Sequence, residues 1–285
     1  MSSHHNSLRW RSGVNLVVIA AALVAITVIT NAYSFNLMLR NFRQSLSSTA
    51  QIYAEQISGK VDKINSGSLE LVSLAASSQN YYTSSPLGRY LTQQDILTRL
   101  QDRIRYVESS DLYFFYRTDS DELLTALSNR PSIGSSYFWN QYLMLPPTQP
   151  ANTWFSVTCN GETWLMCYYN VSQVRVGAAV RAKTLLQSLY ADTGLVQDSG
   201  FALAGLDGTI VYSSQPDLMA CGTRLAGHIP ASLIVESHTV PEVGTLLLFR
   251  PSSDLLYQLS GSFGWLLLLN LLALALITTM LLNTN

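Results

Sequence analysis

Two apolar stretches, residues 14–33 (VNLVVIAAALVAITVITNAY) and 263–282 (FGWLLLLNLLALALITTMLL), each run 20 residues without a charge. At about 1.5 Å of rise per residue, roughly 20 apolar residues span a hydrocarbon core of about 30 Å. Both are therefore predicted to be transmembrane helices. After the first, apolar positions continue at helical spacing: Phe42, Leu46, Ile52, Tyr53, Ile57, Val61, Ile64, Leu71, Val72 and Ala75. The i, i+3/i+4 rhythm predicts one long amphipathic stalk helix over residues 34–78. Gly59 and Gly67 interrupt it, at a cost of about 1 kcal/mol each. Part of the apolar stripe must face the chain's own domain, and the remainder offers a surface to a second copy.

Beyond the stalk, residues 80–89 (NYYTSSPLGR) read as a loop, and 92–107 as a second helix capped by Thr92 with Asp95 three residues on. Residues 111–116 (DLYFFY) and 123–128 read as a hairpin with an acidic tip. A loop over 129–136 leads to 137–145, a short helix or irregular segment ended by Pro146-Pro147. The clearest hairpin joins 154–158 to 163–169 around Asn160-Gly161. A strand at 174–180 and a helix at 182–191 follow. A second set comprises a hairpin at 201–206 and 209–213 around Asp207-Gly208, a short apolar helix at 229–235, strands at 237–240 and 245–250, and a helix at 252–260. The exposed part thus reads as two α+β units in series, split near 192–199, with both chain ends returning to the membrane.

Charge sets the orientation. The first 12 residues carry Arg9 and Arg11 and no acid, which keeps the N-terminus cytoplasmic. Arg40 and Arg43 oppose this weakly, because a long folded domain translocates largely regardless of charge. All 18 acidic and 15 of the 17 basic residues lie between the two spans, a net of 15 − 18 = −3. That mild balance argues against nucleic acid as a partner. A cleaved signal peptide is the rival reading of the first span, with Thr30-Asn31-Ala32 as a faint cleavage site. The run is longer than an ordinary h-region and its helical periodicity continues through the candidate cut, favouring an uncleaved anchor. The expected layout is residues 1–13 cytoplasmic, 14–33 first span, 34–78 stalk, 79–192 membrane-distal module, 193–258 membrane-proximal module, 263–282 second span and 283–285 cytoplasmic. The protein is then a two-pass cell-membrane protein in contact with lipid, its central domain extracellular and both termini inside.

Candidate chemistry is sparse. No G-x-S-x-G, H-E-x-x-H, P-loop or C-x-x-C occurs, so no enzyme activity, cofactor or metal is expected. His4, His5, His228 and His238 lack a third ligand at metal spacing. Asp119, Asp121 and Glu122 lack the glycine and later glutamate of a calcium loop and read as a solvated hairpin tip. Cys159, Cys167 and Cys221 are an odd count. A two-residue turn at Asn160-Gly161 sets Cys159 opposite Glu162 and Cys167 opposite Trp154, so a bridge would need another register. Buried unpaired thiols are expected instead.

FALAGLDGTIVYSS (201–214) resembles the first hairpin of a PAS-like Cache module, and LLLFRPSSDLLYQLSGSFGW (246–265) resembles the closing strand and membrane-returning helix of such modules. DLYFFY, TWFSV, the Asn160-Gly161 hairpin and VRVGAAVRAKTLLQSLY fit the strand order of a membrane-distal Cache module. With the stalk, residues 41–257 resemble a double Cache sensor, the extracellular input of bacterial histidine kinases, chemoreceptors and AraC-type regulators. The resemblance implies two antiparallel sheets on a long helix, a homodimer through that helix, and a small-molecule ligand. No HAMP-like linker, kinase motif or helix-turn-helix follows the second span, so the output module is expected to be lost, removed or carried by another chain. A tethered interaction protein or pseudo-receptor without its own output is the alternative.

A ligand pocket needs aromatic walls and a few polar anchors. In the distal module Tyr116, Arg117, Arg130, Tyr137, Trp139, Trp154 and Tyr168 lie on strands and loops expected to converge. An arginine there can clamp a carboxylate, while Trp and Tyr stack on a sugar, an amine or an amino-acid side chain. Arg130 and Trp139 are the leading pair, because loop placement favours function over packing.

Overall fold

The structure, a computed structural model, describes residues 3–77, 85–107, 110–120, 122–127, 151–159, 161–191, 199–225 and 229–253, and residues 257, 264, 265, 268, 269, 271–273, 275, 276 and 279 of the C-terminal segment. The predicted loop at 129–136 and segment at 137–145 lie outside these residues.

The first span and the stalk are one helix, α1 (Ser3–Ser77), 75 residues long. Its second part buries one stripe, including Ala50, Tyr53, Ile57, Val61, Ile64 and Leu71, at the spacing of a core-facing helix. Ile52 departs from the expected stripe and is exposed. Gly67 is no mere interruption. A Cβ there would meet the Tyr113 hydroxyl at 2.5 Å, so the missing side chain lets the first sheet approach the helix. Gly59 faces open space.

The second helix, α2 (Pro86–Tyr106), begins six residues before the expected start at Thr92. Ser85 is the cap: its hydroxyl accepts from the Gly88 N–H at 3.3 Å. Pro86 occupies the first turn, where its missing N–H leaves no bond unmade. Thr92 therefore lies inside the helix, its hydroxyl donating to the Gly88 carbonyl at 3.0 Å.

Strands β1 (Leu112–Arg117), β2 (Glu122–Leu127), β3 (Phe155–Cys159), β4 (Glu162–Val171) and β5 (Val174–Arg181) form a sheet of order β2-β1-β5-β4-β3. Every neighbouring pair is antiparallel. The Asn160-Gly161 turn has the expected register, Cys159 opposite Glu162. Cys167 is free and buried, whereas Cys221 is free and exposed, against the expectation of buried thiols throughout. Asp111, at the start of β1, accepts from the Arg181 N–H at 2.8 Å and from its Nη2 at 2.9 Å, tying the ends of neighbouring strands. The predicted helix at 182–191 is two short pieces, α3 (Ala182–Leu185) and α4 (Gln187–Ala191). Between them Leu186 leaves helical geometry at φ −90°, ψ 8° while its side chain stays buried.

The second sheet has order β7-β6-β9-β8, from β6 (Gly200–Gly205), β7 (Ile210–Ser213), β8 (Leu233–Val240) and β9 (Gly244–Pro251). Its first turn is fixed by Asp207, whose carboxylate accepts from the Thr209 N–H at 3.0 Å and hydroxyl at 2.7 Å. Both bonds hold the Asp207 carboxyl below its ordinary range. The predicted helix at 229–235 is corrected: from Leu233 onward the chain is strand β8. A short apolar run cannot be assigned by periodicity alone, and the β-branched Ile234, Val235, Thr239 and Val240 favour the pleated conformation.

Contacts divide the chain into two compact units. Residues 47–230 with 235–249 make one. The other comprises residues 1–46, 231–234 and 250–285, and within it the Arg250 guanidinium lies 5.6 Å from the Phe42 ring centroid.

Candidate ligand-binding site

Alternation along the strands gives the first sheet two faces with different chemistry. One meets α1: the Tyr113 hydroxyl donates to the Ile64 carbonyl at 3.3 Å. Burial pushes the Tyr113 phenol up to about 12 and the Cys167 thiol, on the same face, also to about 12. The opposite face is a buried aromatic and apolar floor of Leu112, Phe114, Tyr116, Trp164, Met166, Tyr168 and Ala179, with Leu123, Ala151, Phe155 and Val157 packed against it.

Two cations flank that floor. The Arg175 guanidinium lies 5.9 Å from the Tyr168 ring centroid, and the Arg181 guanidinium 5.7 Å from that of Trp164. Both arginines are half-buried. Tyr116 sits opposite Arg175 across the β1–β5 pairing, and Trp164 opposite Arg181 across β4–β5. Gly177, between them on β5, carries no side chain because a Cβ would strike the Cys167 carbonyl and the Phe114 ring. A guanidinium at two borders of such an aromatic cluster can hold an acidic or hydrogen-bonding head.

The predicted site residues fall into three groups. Tyr116 and Tyr168 share the floor. Arg117 follows Tyr116 and so points to the other face, where it donates from Nε and Nη2 to the Asp119 carboxylate. That contact holds the Asp119 carboxyl below its ordinary range. Glu122 at the same tip accepts from Gln93, so these tip carboxylates already have partners. Trp154 is buried, and its indole N–H donates to Asn65 Oδ1 on α1 at 3.2 Å. Asn65 Nδ2 in turn donates to Glu242 Oε2 at 2.6 Å, in the turn between β8 and β9. One helix amide thereby bridges the two sheets. Trp154 also lines a cavity of about 310 Å³ with Leu165, Asp207 and Val243. Arg130, Tyr137 and Trp139 lie outside the described residues.

Sequence reasoning missed Trp164, Arg175 and Arg181. The period-2 pattern of β4 places Trp164, Met166 and Tyr168 on one face and was the available signal. Among the described residues no group of three or more His, Cys, Asp or Glu could hold a metal ion.

No family model matches the sequence, and no curated protein matches it. Among solved structures, the chain is similar to the periplasmic sensory domain of the Campylobacter jejuni chemoreceptor Tlp1. The TM-score is 0.52 at 10% identity, over 76% of this chain and 97% of that one. It also aligns with the ligand-binding domain of the Pseudomonas aeruginosa amino-acid chemoreceptor PctB in complex with L-Arg, with a TM-score of 0.48 at 13% identity, over 75% and 97%. A third alignment is to the Vibrio cholerae LuxQ periplasmic domain, with a TM-score of 0.40 at 13% identity, over 73% and 99%. The likeness to the first establishes a shared fold: a long N-terminal helix carrying two antiparallel sheets.

Proposed function

We infer that this chain, with the fold of a periplasmic sensory domain, is the extracytoplasmic ligand-sensing region of a transmembrane receptor. The observation that carries the reading is the floor of the first sheet, with Tyr116, Trp164 and Tyr168 between Arg175 and Arg181. The ligand is a small molecule with an apolar body and an acidic or hydrogen-bonding head, and Arg130, Tyr137 and Trp139 are proposed to join the same site. No catalytic role is assigned.

The membrane reading rests on two segments. One described helix, at the N-terminal end of the chain, is long and apolar enough to cross a bilayer. Two of its polar side chains are satisfied from within: Thr27 donates to the Leu23 carbonyl and Asn31 to the Thr27 carbonyl, each at 2.8 Å. In the second segment Thr279 donates to the Ala275 carbonyl at 3.0 Å, and the described residues are helical and, Ala273 apart, exposed. Such bonds are what a polar group needs where no water is present. Both segments are proposed to span, with the termini cytoplasmic and the sheets outside. Ile52 and Leu69, exposed on α1, are proposed to contribute to a homodimer through the stalk. The Trp154–Asn65–Glu242 chain then offers a physical route from the distal sheet to α1 and the second sheet. Ligand can drive that route only through different affinities for two arrangements.

The reading is tested by thermal unfolding of the full chain in lipid nanodiscs against small carboxylates, amines, amino acids and sugars. A ligand at 100 times its Kd should stabilise by about 2.7 kcal/mol, and Arg175→Ala with Tyr168→Ala should abolish the shift. A panel in which nothing moves the transition, or a shift that survives both substitutions, overturns it.

A further inference from the structure

A larger cavity, of about 600 Å³, is walled by the start of β4, the end of β5 with α3 and α4, and β7 with the residues after it. That volume falls among small-molecule pockets, roughly 300–1,000 Å³. Its lining divides by chemistry. At one end stand Arg181 and Lys183. Asp111 takes the Arg181 N–H and Nη2, and the buried Nε has no acceptor. Lys183 is exposed, with no acidic partner among the described residues. At the other end the Tyr190 and Tyr212 hydroxyls bond to each other. Their rings pack around Phe201, Tyr190 edge-on at 4.9 Å and Tyr212 stacked at 6.4 Å between centroids. Glu162 completes the wall and is close enough to favour the charged form of Arg181.

We propose that this cavity is a second small-molecule site, for a monocarboxylate with a flat apolar body, its carboxylate at Lys183 beside Arg181 and its ring on the Tyr190–Tyr212 pair. The charge inventory selects one negative group. Asp111 neutralises Arg181, Lys183 is left to receive an anion, and Glu162 repels a second carboxylate. Tyrosine faces supply apolar contact at low conformational cost. Because the walls come from both sheets, an occupant bridges them. The site shares Arg181 with the border of the first-sheet floor, is otherwise lined by different residues, and does not rest on that reading.

Cys221 is an exposed free thiol in the wall of this cavity and serves as a local reporter. The full chain in nanodiscs is alkylated with N-ethylmaleimide, and the rate at Cys221 is read by mass spectrometry. Benzoate, phenylacetate and indole-3-acetate are the probes, with benzamide and succinate as controls. A binding monocarboxylate at ten times its Kd should slow Cys221 alkylation about tenfold. Benzamide and succinate should leave the rate unchanged. Lys183→Glu should remove the protection, and Lys183→Gln should weaken it roughly tenfold in affinity, as expected for loss of one charge-assisted contact. The proposal is overturned if none of the three acids protects at roughly 10 mM, where a millimolar site is mostly filled. Equal protection by benzamide, or protection that survives Lys183→Glu, overturns it too. A ligand that raises the unfolding temperature without protecting Cys221 acts at the first-sheet floor, so the two readings fail separately.

Discussion

Residues 18–37 and 46–75 belong to one continuous helix, yet their apolar side chains meet opposite surroundings. In the first stretch Val18, Val24, Ile26, Val28, Ile29 and Leu37 are all exposed, and among the described residues only a narrow stripe of Leu23, Thr27, Asn31 and Phe35 is less so. In the second, Tyr53, Ile57, Val61, Ile64 and Leu71 are buried along one stripe while Glu55, Asp62 and Lys63 are exposed on the other side. A helix apolar all round needs an apolar solvent, whereas one with a single stripe needs only one packed neighbour. The backbone is the same in both; the distribution of charge decides what each stretch is for.

The largest expected effect separates the two stretches directly. Ile57→Asp places an unpaired carboxylate at a fully buried position of the stripe and should cost more than about 4 kcal/mol, enough to abolish cooperative unfolding of residues 47–230 with 235–249. Val24→Asp should leave that transition in place while weakening membrane insertion by about 2.5–3.5 kcal/mol. Thermal unfolding and carbonate extraction from membranes read the two outcomes. If Val24→Asp lowers the unfolding temperature as Ile57→Asp does, the first stretch packs against protein and the contrast collapses.

A finer test uses the two glycines of the stripe region. Gly67→Ala must displace the Tyr113 hydroxyl and should destabilise by about 1–3 kcal/mol. Gly59→Ala meets nothing within 4 Å and should stabilise by up to about 1 kcal/mol, through helix propensity alone. Urea midpoints with an unchanged m-value would show both signs.

The smallest effect lies on the alkaline side. Tyr113 is raised from 10.0 to about 12 by burial. The folded state therefore favours the neutral phenol. Its contribution is fully present below pH 10.0 and is lost as pH rises from there through about 12. Tyr113→Phe should cost about 1 kcal/mol at neutral pH, through the lost bond to the Ile64 carbonyl, and should flatten the stability loss across that window. An unchanged alkaline slope would place the titrating groups elsewhere.

What could be read from the chain alone followed the range of the interactions. The charge-free runs, the stripe of α1 and the Asn160-Gly161 register are local patterns, and each has a short physical explanation. The start of α2 was equally local, since Ser85-Pro86 carries both cap signals, but Thr92 with Asp95 looked like a stronger cap. Strand β8 was misread because Leu233–Val240 opens on an apolar run whose helical and strand patterns coincide. The floor of the first sheet was half visible: Tyr116 and Tyr168 were recognisable as candidates. Arg175 and Arg181 were not, because only the pairing of β5 with β1 and β4 brings them to Tyr116 and Trp164. The β1–β5 pairing is distant in sequence and leaves no local trace, whereas Trp164 and Arg181 meet across the adjacent β4–β5 hairpin, a local pattern that was overlooked.

The central claim is that α1 crosses a membrane and carries the sheets to its outer side. Cysteine labelling tests it most directly, using the exposed Cys221 and the buried Cys167 as an internal control. The chain carrying Cys159→Ser and Ser7→Cys is expressed in intact cells and treated with a membrane-impermeant maleimide. The account predicts labelling of Cys221 in intact cells, labelling at position 7 only after permeabilisation, and none at Cys167, whose thiol burial raises to about 12. Labelling of Cys221 only after permeabilisation would contradict it.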